Sequence, residues 1–95
     1  MNREEYVAKL KAQLDRWNAE VTIWEAKAKE AQAGARAETE KQLEGFRRQR
    51  DQALEEMRKV QNASGEAWLD LMRGAEDAWT KLKDAFERAS SHFNK

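Results

Sequence analysis

Trp68, Met72, Ala75, Trp79, Leu82, Phe86, Ala89 and Phe93 recur at alternating spacings of four and three. A helix turning every 3.6 residues brings all of them onto one stripe, whereas a strand would scatter them over both faces. Leu71, Ala78 and Ala85 lie beside the stripe and widen it. A face this broad needs more than one partner helix. The expected fold class is therefore all-α: a long helical hairpin or coiled coil built of three-helix layers.

Upstream, Val7, Leu10, Leu14, Trp17, Val21, Trp24, Ala28, Ala31 and Ala35 alternate in the same way. The register slips where Ala35, Thr39 and Leu43 are spaced by fours, then Phe46, Arg50, Ala53, Met57 and Val60 restore it. Consecutive fours relax a left-handed supercoil without ending a helix. Exposed positions carry Glu, Lys, Gln, Arg and Ala, the strong helix formers, and the chain has no proline. Glu5–Lys9, Glu25–Lys29, Glu55–Lys59, Asp77–Lys81 and Asp84–Arg88 place acid before base at i,i+4.

The clear break is Gln61 to Glu66, where Asn62 can close one helix and Ser64 can cap the next. Asn62-Ala63-Ser64 also fits a glycosylation acceptor, but the turn explains it. This predicts one domain over 1–95, with a helix over 3–62, a turn at 62–65 and a helix over 64–93. Gly34 is the ambiguous point. A turn there would give three equal helices, and Thr39 with Gln42 offers a capping box. Against it, the flanking alanines are poor turn residues and the stripe runs through, so a continuous first helix of about 90 Å is expected.

With the second helix folded back about Ala63, the core comprises Phe46, Met57, Trp68, Met72, Trp79, Leu82, Phe86 and Phe93. Trp79 should lie level with Phe46 and Trp68 with Met57. Val7, Leu10, Leu14, Trp17, Val21 and Trp24 would then be uncovered, which marks them as a self-association surface. The expected partner is a second copy, paired antiparallel about Gly34, so that Trp17 of one chain comes level with Trp79 of the other. A monomer turning at Gly34 makes nearly the same contacts within one chain, so periodicity cannot separate the two. Ala12, Ala19, Ala26 and Ala33 repeat every seven residues on the opposite face. They read as helix propensity on a solvated face or as a seam for another helix.

Candidate chemistry is sparse. His92 is the single histidine, and Ala89 stands where an E-x-x-H metal site would need Glu. There is no cysteine for thiol chemistry or thiolate ligation. All four tryptophans fall on the apolar stripes, where they serve packing. The cluster Phe46-Arg47-Arg48-Gln49-Arg50 is flanked by Glu38, Glu40, Glu44, Asp51, Glu55 and Glu56, so it reads as an ion-paired face. Lys+Arg and Asp+Glu are both 18, which gives no pull toward nucleic acid. No catalytic residue, cofactor or metal ligand is expected, and no enzyme. The opening MNREEYVAKL lacks an apolar signal core and no run approaches membrane-span length, so a cytoplasmic location is expected. One alternative stands: AWLDLMRGAED and AWTKLKDAFER are 11-residue amphipathic units from Ala67 and Ala78, a pattern of helices that lie on lipid surfaces.

Two segments, REEYVAKLKAQLDRWNAE and ASGEAWLDLMRGAEDAWTKLKDAFERASSHF, resemble a family of small bacterial coiled-coil proteins. Some members are labelled stress-response proteins, and some carry apolipoprotein-like similarity. The resemblance implies helical packing and transfers no functional residue. The functional expectation is a non-enzymatic, self-associating coiled-coil protein, a stress-related scaffold or adaptor; the alternative is a peripheral protein of lipid or membrane surfaces.

Overall fold

The computed structural model describes residues 2–94, folded as three helices: α1 (Arg3–Glu30), α2 (Ala33–Asn62) and α3 (Ala67–Phe93). They run up, down and up in a bundle of 52 × 18 × 17 Å. The all-α class and the three-helix layers are present, formed within one chain.

The start of α1 is set locally. Asn2 caps it by accepting from the Glu5 amide at 2.8 Å, and Glu4 and Glu5 sit at the positive end of the helix dipole. The start of α2 has no such signals. Its N-cap is Gln32, with no side-chain cap bond and no acid in the first turn. The sequence reading of one helix over 3–62 is therefore corrected: the chain breaks at Ala31 and Gln32, two residues before Gly34. Both link residues are extended, with ψ of 146° and 154°.

The reason is tertiary. Breaking a helix strands backbone N–H and C=O groups, but here Arg36 donates to the Ala31 carbonyl and the Ala31 amide to the Ala28 carbonyl, and Gln32 is exposed to solvent. Folding back buries the α1 stripe, and each large apolar side chain so covered contributes about 1.5–3 kcal/mol. The position of the break follows the core. Ala28 is the last buried residue of α1 and Thr39 the first of α2, so no buried side chain between them resists a turn.

The second link also departs from expectation. Asn62 closes α2 in helical conformation, and Gly65 adopts the left-handed φ of 58° that its missing Cβ permits. Ser64 does not cap α3, which begins at Ala67 with Glu66 as N-cap. The longer link, residues 63–66, slides α3 along α2. Phe86, rather than Trp79, meets Phe46, with ring centroids 6.1 Å apart, and His92 reaches Thr39. Thr39 is consequently no helix cap; it lies inside α2.

Helices α2 and α3 run closest together, and α1 and α3 stand farthest apart. Side-chain size accounts for this. Ala53 on α2 and Ala75, Ala78, Ala85 and Ala89 on α3 are buried and let backbones approach. Tyr6, Trp17 and Trp24 hold α1 off at the reach of an aromatic ring.

Candidate self-association interface

The residues expected to pair with a second copy are used at home. Val7, Leu10, Leu14, Val21 and Trp24 are buried, and Trp17 is partly buried against the same core. Of the expected core, Phe46, Met57, Trp79 and Leu82 are buried, while Trp68, Met72, Phe86 and Phe93 are partly buried and packed on it. The stripe seats α1 along α3 through a ladder of rings. Tyr6 meets Trp68 at 6.1 Å, and Trp17 meets Trp79 at 6.5 Å and Phe86 at 5.5 Å. Trp24 lies 5.1 Å from Phe86 and stacks on Phe93 at 5.3 Å, 2° from parallel. Offset stacked and tilted pairs of this kind add about 0.5–1.5 kcal/mol each beyond burial.

Polar groups fix the register at a few points. The Trp79 indole N–H donates to Gln13 Oε1 at 2.9 Å, tying α3 to α1. Arg3 donates to the Ala63 carbonyl, pinning the start of α1 to the second link. Thr39 Oγ1 and His92 Nε2 lie 3.1 Å apart between α2 and α3, so His92 is a half-buried bundle residue. Among the described residues the Trp24 indole N–H and the Tyr6 hydroxyl have no partner. Burial, with the charge of Glu76 adding to it, pushes the Tyr6 phenol above its usual value.

The basic cluster is partly paired across helices. Arg47 bonds Glu25 at 2.8 Å and lies 3.7 Å from Glu40; Arg50 sits over the Phe46 ring at 5.9 Å. The Glu25 hydrogen bond raises the Arg47 pKa further, against the opposing effect of burial, and the charges of Glu25, Glu40 and Glu44 add to the rise. Glu25 belongs to Arg47, not to Lys29 as i,i+4 spacing suggested, because bundle packing brings the guanidinium alongside. The depression beside His92, lined by Glu38, Asp84 and Glu87, opens to solvent. Among the described residues no group of three or more His, Asp or Glu is placed to hold a metal ion.

Outside the bundle, Ala8, Ala12, Ala19 and Ala26 form an exposed alanine face on α1 with Ile23, which is 51% exposed. Ala33 continues it no further, since it belongs to α2. The element that sequence reasoning missed is the Ala31–Gln32 link, where neither residue carries turn chemistry. Among the described residues no helix is long and apolar enough to cross a membrane. Compared with known proteins, the chain matches no family model, no curated protein and no solved structure.

Proposed function

We propose that this protein is a non-enzymatic helix-contact module that associates with copies of itself, acting as a scaffold or adaptor of the stress-related kind its sequence resembles. One observation carries the reading. The α1 stripe is satisfied by ring-to-ring contacts with a hairpin, α2–α3, whose own helices pack closely without it. A cross-section of that kind closes equally well around an α1 from the same chain or from another. Light scattering over a concentration series, on protein refolded at both low and high concentration, tests it. Mass should rise from 11.1 kDa toward twice that value. A single 11.1 kDa species throughout defeats the proposal.

The alternative, contact with lipid surfaces, is favoured by the start of α3, where Leu69 is 51% exposed and Trp68, Leu71 and Met72 are only partly covered. Flotation with phosphatidylcholine–phosphatidylglycerol vesicles separates the readings. Vesicle-bound protein with no self-association in solution would favour the lipid role.

A further inference from the structure

We propose that the Ala31–Gln32 link is a hinge through which two copies exchange α1, giving a swapped dimer in which residues 3–62 of each chain run as one helix. This rests on the self-association reading above and specifies its partner, a second copy, and the element exchanged.

The two links of the bundle differ in kind. The second is committed to its turn: Gly65 holds a left-handed φ of 58°, the Ala67 amide bonds the Ser64 carbonyl, and Arg3 clasps Ala63. The first has an exposed Arg36 bond to the Ala31 carbonyl at 3.2 Å and an Ala35 amide bond to the Gln32 carbonyl, but no left-handed residue that a helix could not absorb. Ala31 and Gln32 have φ of −68° and −66°, already close to helical, so a change in ψ alone at each residue converts the link to helix. Both are good helix formers, and so are most of the residues on either side. Straightening also removes two helix ends. The stranded carbonyls of α1 and the uncapped amides of α2 then pair with each other as interior helical bonds.

Packing allows the exchange. The rings of α1 contact α3 at side-chain reach, while α2 and α3 hold each other through small residues. An incoming α1 from a second chain finds the same rings, the same Gln13–Trp79 bond and the same Glu25–Arg47 pair. Whatever α1 gives up on leaving its own hairpin, it recovers on its partner's. At the crossing of the two long helices, Ala31, Ala33, Gly34, Ala35 and Ala37 present little bulk.

Gln32→Pro separates the two states. In the bundle, Pro fits Gln32 at φ −66°, and Ala31 at ψ 146° already has the extended conformation that a residue before proline needs. In a continuous helix the same proline lacks its N–H and strikes the carbonyl four residues back. Full-length wild type, Gln32→Pro and the helix-compatible control Gln32→Ala are refolded at high concentration and compared by light scattering and circular dichroism. Wild type and Gln32→Ala should form a dimer longer than the 52 Å bundle. Gln32→Pro should stay a helical monomer, its dimerisation weakened at least about a hundredfold. A Gln32→Pro dimer as strong as wild type would overturn exchange and leave self-association by another surface standing. A monomeric wild type would overturn both. Should Gln32→Pro fail to fold, Gly34→Ala decides, because it favours helix across the hinge. A raised dimer fraction supports exchange, and an unchanged one refutes it.

Discussion

Trp24 and Trp79 carry the same side chain in one core with opposite polar circumstances, and Phe substitution at each should separate them. Trp24 is 0% exposed and its N–H has no partner among the described residues. Trp79 is 6% exposed and its N–H donates to Gln13 at 2.9 Å. Replacing either indole by phenyl removes ring atoms and leaves a small void, costing about 1–2 kcal/mol. At Trp24 the change also removes a buried unpaired donor, which returns about 1–3 kcal/mol. At Trp79 it removes a hydrogen bond contributing about 0.5–1.5 kcal/mol net. The two variants should differ by about 1.5–4.5 kcal/mol in favour of Trp24→Phe. In a chain of this size each kcal/mol moves the melting temperature by about 4–8 °C, so Trp24→Phe should melt at least about 6 °C above Trp79→Phe. Thermal unfolding followed by circular dichroism reads this directly. Equal melting, or a less stable Trp24→Phe, would show that the Trp24 N–H is satisfied and the reasoning wrong.

Other expectations follow from single contacts. Trp79→Ala should cost about 3–5 kcal/mol in denaturant unfolding, and a loss below about 1 would place Trp79 at the surface. Gly45→Ala should stabilise by about 0.5–1 kcal/mol, because its Cβ would meet nothing within 4 Å and α2 gains a helix former. Gly65→Ala, at φ 58°, should instead destabilise by about 1–2 kcal/mol; the reverse order in a melting series would contradict the helical backbone at Gly45 and the left-handed one at Gly65. Tyr6 has its phenol pKa raised above 10.0, so between that value and the raised one the folded chain keeps a proton that the unfolded chain has lost. Stability should therefore fall as pH rises above about 10, and Tyr6→Phe should remove that share of the fall. Identical alkaline losses in both proteins would exclude Tyr6 as the cause. Glu25→Gln should cost no more than about 1 kcal/mol, and less at high salt, since the Arg47 pair is partly exposed; a larger, salt-independent loss would mean it is desolvated.

Much of this architecture was legible in the sequence because the apolar stripes are dense. Val7 to Ala28, Leu43 to Val60 and Trp68 to Phe93 all identify their inward faces, and Trp17 comes level with Trp79 within one chain, as expected of the monomeric alternative rather than of the dimer. The first link was not legible, because a turn made of Ala31 and Gln32 carries no local signal; it is imposed by the burial of the α1 stripe that ends at Ala28. The α2–α3 register was misplaced because α2 does stop at Asn62, but α3 begins at Ala67 rather than at a Ser64 cap, so the link through Gly65 is longer than expected. The unpaired N–H of Trp24 could not be read from spacing, which identifies a buried face and not the atoms that meet there. Gln13 was equally hidden, since an exposed-looking glutamine beside a stripe gives no sign that it receives the Trp79 proton.

The seating of α1 along α3 underlies the bundle, the proposed exchange and the predicted stabilities alike. Nuclear Overhauser contacts among ring protons, recorded on the 11.1 kDa species with tryptophan and phenylalanine selectively labelled, test it most directly. Contacts are predicted from Trp24 to both Phe86 and Phe93, and from Trp17 to Phe86 and Trp79. Contacts from Trp24 to Trp68 with none to Phe93 would reverse the direction of α1 against α3 and contradict it.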